Sequence, residues 1–459
     1  SGRLPLLAKN NFTGRIFATR ATQGACEYLL PDSAHIQESD ADYLNYKKVR
    51  SLLAEIGAGK GGETATKREA AKAQKLLKSG KNRLDRQAIN AFIEKYGLSR
   101  AQALYSSEDA AHALECFDGI PYNTEVTIGK DMGLTFYEAG HILGSAISLV
   151  KYRRGDRTFT LCYTGDLGRF DKPIIRDPAL DFKEEDREVD LMIMESTYGN
   201  RLHEGTDDLY QRVREELTAT FKRKGTVVIP SFAFGRAQEL LYVIHELFMK
   251  GEVPKVPVYV DSPLAASMTK VFGEHPETYD QETHKTFLEN GKNPFLFDKV
   301  HFVSSVDESM KLMREEQPHI IISASGMCEV GRILHHLRYR IHNPNNTILV
   351  VGYMAAHTLG RKILTLGQEY MEKGRKGNAP LVKILGKEYP LKARVVKLGG
   401  FSGHADQSEM MRFLKDSNLN VKKIALVHGE ENSCLDFADH LNREGFQAFV
   451  PHVGETIRV

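Results

Sequence analysis

Apolar residues along this chain fall into short runs that end in polar or glycine-rich turns. Residues 158–163 and 190–195 read as strands, and 226–230, 256–260, 299–303, 319–323 and 347–352 are further runs of that kind. Stretches with helical spacing, such as 237–250 and 331–339, separate several of them. Buried runs alternating with helices predict a mostly parallel sheet covered on both faces. Residues 394–398 and 423–427 return to strand–loop–strand. The first 50 residues alternate short apolar runs with loops. No internal repeat or low-complexity tract interrupts the pattern. No apolar run approaches the roughly 20 residues needed to span a bilayer.

The pattern changes between residues 47 and 100. Gly59-Lys-Gly-Gly62 precedes a cluster that includes Lys67, Arg68, Lys72, Lys75, Lys78, Lys81, Arg83 and Arg86. Glu63, Glu69, Asp85 and Glu94 offset it only in part, and Ala70, Ala71, Ala73, Leu76 and Leu77 predict a helix with a basic face. The whole chain carries a formal net charge of only +2 over 459 residues, so any phosphate-binding surface must be local. That length allows one or two domains, and 41% hydrophobic with 27% charged residues is an ordinary globular composition. The five cysteines, Cys26, Cys116, Cys162, Cys328 and Cys434, are odd in number, widely spread and without a C-x-x-C pair. They fit a reducing compartment, and cysteine ligation of a metal is not expected.

Several strand-like runs end in an acid or an imidazole. His141 lies in Glu138-Ala-Gly-His-Ile-Leu-Gly-Ser145, and Gly140 and Gly144 would let the backbone approach whatever the imidazole binds. Asp166 lies in Tyr163-Thr-Gly-Asp-Leu-Gly168. It either caps a turn or uses its two oxygens to bridge two cations. Glu195 begins Glu195-Ser-Thr-Tyr-Gly199, His404 lies in Phe401-Ser-Gly-His-Ala-Asp406, and His428 in Leu426-Val-His-Gly-Glu430. Each histidine alone could be a hydrogen-bonded strand-end residue. Nitrogen and carboxylate ligands from several strand ends are also how a fold assembles a metal-hydrolase site.

Taken together, these motifs resemble the β-CASP branch of the metallo-β-lactamase superfamily, metal-dependent nucleases that process RNA. Four further motifs match in family order: Ser231-Phe-Ala-Phe-Gly-Arg-Ala-Gln-Glu239, Asp261-Ser-Pro-Leu264, Ser325-Gly-Met-Cys-Glu-Val-Gly-Arg332 and Gly352-Tyr-Met-Ala-Ala-His-Thr-Leu-Gly360. The resemblance implies an α/β protein: a metallo-β-lactamase αββα sandwich, incomplete at its N-terminus, with an inserted parallel α/β β-CASP domain. Residues 1–200 and 392–459 would form the first, with a basic insertion at about 54–101, and 201–391 the second. It also implies two zinc ions. His141, Asp166 and His428 would be ligands, with Asp166 bridging, and Glu195 and His404 would be a proton-donating pair. A metal-activated water would cleave RNA to 5′-phosphate and 3′-hydroxyl ends. Ser402 would contact a phosphate, and Arg236 and Arg332 would clamp phosphates bidentately. His335, His336 and His357 are expected to be structural or polar-surface residues.

In the family, H-x-H-x-D-H runs into S-G-R-L-P, and this chain begins Ser1-Gly-Arg-Leu-Pro5. The expectation is therefore a fragment, with impaired zinc binding and no activity of its own, and with no further domain after His452. Two alternatives stand: an inactive RNA-binding or scaffold subunit, and a DNA nuclease of the same fold. Relatives acting on DNA crosslinks tend to have valine at the position of His428, which disfavours the second. The basic stretch is then either a solvated helix pair or an RNA-backbone contact arm. A cytoplasmic location, RNA as partner, a homodimer and no membrane association complete the expectation; endonuclease and 5′-exonuclease action both stay open.

Overall fold

Three strands, Val227–Pro230, Ile320–Ser323 and Thr347–Val350, are buried at every position. Such runs lack the in–out alternation of a half-exposed sheet, so both faces must be covered. They occupy the middle of a six-stranded sheet ordered Val300–Phe302, Val258–Val260, Ile320–Ser323, Val227–Pro230, Thr347–Val350, Arg394–Lys397. Every neighbouring pair in it is parallel. Helices Ile333–Arg340 and Leu359–Glu372 bring Ile333, Leu337, Ile363 and Leu364 onto Val228, Ile321 and Ile348. Helix Arg236–Met249 is buried along most of its length.

The sequence expectation matches this sheet closely except at one edge. Residues 392–459 were assigned to the other sheet, but Arg394–Lys397 pairs with Thr347–Val350, with Arg394 opposite Thr347. The division expected between 391 and 392 therefore falls inside the parallel-sheet region. A four-residue apolar run carries no mark of the edge it will join.

A seven-stranded sheet is mixed. Its order is Ala448–Phe449, Ile424–Val427, Leu191–Glu195, Arg157–Tyr163, Ala146–Arg154, Met132–Glu138, Val126–Gly129. The first four strands run parallel, and the rest are antiparallel to their neighbours. Helices Gln407–Asp416 and Glu431–Arg443 place Met410, Phe413, Leu414, Phe437 and Leu441 in one core with Ile147, Leu149, Met192, Met194 and Leu426.

The computed structural model describes residues 2–57, 72, 75–79, 83–203 and 207–458. Both sheets belong to one compact unit, residues 19–22 with 119–459, and residues 1–18 with 23–118 make up the other. The latter is mainly helical. Residues 20–50, expected as apolar runs and loops, belong instead to the helix Arg20–Gly57. Two features hid it. Pro31 lies inside it, and its apolar residues serve two clusters rather than one stripe. Cys26, Leu30 and Ala34 pack with Tyr105, Ala110 and Phe117, whereas Tyr46, Val49 and Leu53 pack with Leu77, Ile89 and Ile93.

Of the basic stretch, Lys67, Arg68, Ala70, Ala71, Ala73 and Lys81 lie outside the described residues. Lys72, Lys75 and Lys78 are exposed. The expected helix does not run through to Arg86: Lys78–Ser79 and Arg83–Leu84 form a short antiparallel ladder. Asp85 then caps the helix Arg86–Lys95 by accepting the Ala88 N–H at 2.9 Å. Among the described residues no helix is long and apolar enough to cross a membrane.

Candidate metal and catalytic site

Ile424–Val427, Leu191–Glu195 and Arg157–Tyr163 are parallel neighbours, so their C-terminal ends share one edge of the sheet. His428 follows the first strand, Glu195 ends the second, and Asp166 lies three residues beyond the third. Met132–Glu138 is antiparallel to Ala146–Arg154, which is antiparallel to Arg157–Tyr163. Two reversals return it to the same direction, so His141 emerges at that edge as well. The loop carrying His404 is tied to it by the Ala405 N–H, which donates to the Leu167 carbonyl at 2.8 Å.

Local hydrogen bonds hold these loops. Ser145 Oγ accepts from the His141 and Ile142 N–H groups at 3.1 and 3.3 Å, and Glu138 Oε1 accepts from the Gly140 N–H at 2.9 Å. Burial pushes the Glu138 carboxyl up to about 7, against the pull of those bonds. On the other side, Asp406 caps Gln407–Asp416 in a capping box with Glu409, fixing the segment two residues after His404. Glycine is needed at a position not anticipated. A Cβ on Gly403 would lie 2.8 Å from the His141 ring, so Gly403 is where the backbone closes on the imidazole. Gly144, expected to serve that purpose, instead packs its backbone against Thr22, where a Cβ would meet the Thr22 nitrogen at 2.6 Å.

The five expected residues converge. Asp166 Oδ1 is 3.2 Å from His428 Nδ1, and Asp166 Oδ2 is 3.9 Å from His141 Nε2. One carboxylate thus turns an oxygen towards each of two imidazoles. His404 Nδ1 lies 3.0 Å from both oxygens of Glu195, and Glu195 Oε1 also accepts the Leu167 N–H at 2.6 Å. Glu195 is only 1% exposed. Burial disfavours its charge, yet the hydrogen bond and charge of His404 outweigh this and hold its carboxyl below the usual range. Burial likewise pulls His404 down, but the bonds and charge of Glu195 win, and its pKa is raised. His141 goes the other way. Burial first, and then the charge of His404, push it down to about 4, despite Asp166 and Glu195.

These differences separate roles. His141 is neutral at neutral pH, as a metal-ligating imidazole must be. Its Nδ1 is buried with no hydrogen-bond partner among the described residues. His404 is held towards the protonated form by its carboxylate, which suits a proton donor. One ligand atom each from His141, Asp166 and His404 lie within 4.8 Å of one another, as do atoms from Glu195, His404 and His428. Both groups include His404, and imidazole nitrogens with carboxylate oxygens are donors that suit a cation such as zinc.

The phosphate-contact residues divide. Ser402 is half-buried two residues before His404. Arg236 is paired with Glu239, which also takes the Lys172 ammonium at 2.6 Å, and its guanidinium lies 5.2 Å from the Phe401 ring centre. Arg332 donates to Asp261 at 2.6 Å and to the Val303 and Ser304 carbonyls, each at 3.1 Å. Each guanidinium expected to clamp a phosphate bidentately thus already has a carboxylate partner within the fold. Of the histidines expected to be structural, His336 is buried 2.6 Å from Asp261, and His357 is exposed.

Three neighbours were not anticipated. Thr197 Oγ1 donates to the His428 carbonyl at 2.9 Å; His203 Nε2 lies 3.1 Å from the His404 carbonyl; and Tyr198 stands edge-on to His404, with ring centres 6.1 Å apart. Only their closeness to Glu195 in sequence could have drawn notice. A cavity of about 630 Å³ opens nearby, bounded by Lys172, Tyr242, Glu246 and Phe401 among others. Seven carboxylates and three cations line it, so it does not suit a polyanion.

Residues 237–363 match the Beta-Casp domain, and residues 388–451 match the Zn-dependent metallo-hydrolase RNA specificity domain. Ribonuclease TTHA0252 of Thermus thermophilus is 34% identical over 359 residues, 78% of this chain and 76% of that protein. Transcription termination factor FttA of Methanosarcina mazei is 32% identical over 342 residues, 74% of this chain and 52% of the factor. The FttA of Pyrococcus horikoshii is 31% identical over 371 residues, with 80% and 55% covered. The chain thus spans about half the length of these archaeal relatives. Its two sheets, its site edge and these matches agree, and the chain belongs to the β-CASP family of metallo-β-lactamase-fold, zinc-dependent nucleases.

Proposed function

We propose that this chain serves hydrolysis of RNA phosphodiesters, with zinc held by His141, Asp166 and His428. The observation that carries the reading is Asp166 between two imidazoles, beside the buried Glu195–His404 pair. Bound zinc would supply Lewis-acid charge and an activated water. The chain's own residues do the rest. Glu195 fixes the His404 ring through Nδ1, which leaves the proton on Nε2 to be given to the departing 3′-oxygen. A P–O bond from water forms as the P–O3′ bond breaks, leaving a 5′-phosphate and a 3′-hydroxyl. Ser402, two residues before His404, would contact a phosphoryl oxygen.

The ligand count favours a second reading. With Asp166 shared, each of two ions would have one imidazole and half a carboxylate from this set, short of the roughly three protein ligands of a catalytic zinc. Weak zinc retention and RNA binding without turnover would follow. One experiment separates the two. Residues 1–459 are loaded with zinc, analysed for metal and assayed on single-stranded RNA. Chelator-sensitive cleavage, slowed about 10²–10⁴-fold in His404→Ala without loss of zinc, supports hydrolysis. Binding without cleavage supports the second reading, and cleavage indifferent to chelator removes the metal mechanism.

A further inference from the structure

Phe232 and Tyr353 are 44% and 54% exposed. A single exposed ring needs no explanation, but these two are placed together. Phe232 lies two residues beyond Val227–Pro230, and Tyr353 three beyond Thr347–Val350. Those strands are parallel neighbours, so the two loops leave the sheet side by side. Small residues make room for the Phe232 ring. A Cβ on Gly326 would lie 3.0 Å from it, and one on Gly352 3.9 Å. The ring rests on backbone there, and its remaining surface faces out.

The Phe232 loop also reaches the metal-ligand loop. A Cβ on Gly235 would lie 3.0 Å from Cδ1 of Ile142, the residue after His141. Gly235 is three residue steps along the chain from Phe232, about 10 Å at full extension. Beside Tyr353, the Arg361 guanidinium lies 5.7 Å from the ring centre and is oriented by its Nε–H bond to the Met354 carbonyl, 2.7 Å. Two open rings, one cation and a short link to the catalytic edge form a surface suited to unpaired bases.

We propose that Phe232 and Tyr353 form a stacking platform for the bases of single-stranded RNA next to the cleavage site. The inference rests on the ribonuclease reading above. Aromatic faces accept every base, so the platform tolerates any sequence and selects single strands, because duplex bases are already stacked on one another.

The test uses residues 1–459, chelator-treated so that binding is measured apart from cleavage. Single-stranded RNA carrying 2-aminopurine reports stacking by quenching and affinity by titration. Phe232→Ala and Tyr353→Ala should each weaken binding roughly 5- to 100-fold and relieve quenching, while Phe232→Tyr retains both. The salt dependence should keep its slope, since no phosphate contact is lost. Binding to a duplex of the same sequence should change less than about twofold. Wild-type protein that binds no RNA would overturn the ribonuclease reading together with the platform. Wild-type binding that both alanine variants reproduce would overturn the platform alone and leave the rings to a protein partner.

Discussion

Replacing Glu195 with glutamine tests the centre of the site. His404 Nδ1 meets both carboxylate oxygens at 3.0 Å, and the Glu195 side chain is 1% exposed while that of His404 is 23% exposed. Glutamine keeps the shape and can still accept from Leu167, but it removes the charge and sets an NH₂ group against the imidazole N–H. A hydrogen bond to a charged partner contributes about 1.5–3 kcal/mol, and burial leaves little solvent to screen this one. The sign depends on pH. The depressed folded pKa of Glu195 gives stability that is full above the unfolded carboxyl value, about 4.3, and is lost as pH falls through the folded value. The raised folded pKa of His404 gives stability that is full below about 6.5 and is lost as pH rises through the folded value. Both contributions are whole only around pH 5–6. Calorimetric melts of chelator-treated protein should therefore show Glu195→Gln destabilised by about 1.5–3 kcal/mol at pH 5.5, and by less than half of that at pH 9. A penalty equal at both pH values would refute the ion-pair account. In the zinc-loaded protein, the alkaline limb of the pH–rate profile should move to lower pH, because His404 loses its proton earlier.

Gly403→Ala should reduce zinc affinity about tenfold or more, because its Cβ would press on the His141 ring at 2.8 Å; metal titration checks this, and unchanged affinity would remove His141 from the ligand set. Glu239→Gln should cost about 3–5 kcal/mol by leaving Lys172 and Arg236, whose side chains are 7% and 12% exposed, without their shared carboxylate. A loss under about 1 kcal/mol in denaturant melts would show that water already solvates the pair. Changing Lys72, Lys75 and Lys78 to alanine should weaken RNA binding across sequences and flatten the salt slope by about 0.7 per lost contact. An unchanged slope would mark the basic stretch as a solvated surface.

The parallel sheet was legible because its strands are buried throughout. Val227–Pro230 and Ile320–Ser323 have no polar alternation to confuse them, and helices of ordinary length follow them. The helix Arg20–Gly57 was not legible, since its apolar residues answer to two separate clusters and no single stripe shows. The ladder at Lys78–Ser79 was missed for a related reason: a two-residue strand has no period to detect. Propensity favoured a helix there, and pairing with Arg83–Leu84 overrode it.

The site divides along the same line. His141, Asp166, Glu195 and His428 could be read because each ends or closely follows a strand of one sheet, and the parallel register of three strands makes such ends meet; His404 was readable only from its motif, because it lies in a loop that follows Arg394–Lys397 of the other sheet. Chemistry placed where a topology must converge is visible in one dimension. Partners chosen across the fold are not. Arg236 and Arg332 lie in glycine-rich turns that resemble phosphate cradles, and only the packed molecule reveals Glu239 and Asp261 beneath them. A buried carboxylate within reach of a guanidinium competes with a phosphate from outside, and it is always present at high effective concentration. Releasing either arginine would strand that carboxylate without its cation, at a cost of several kcal/mol.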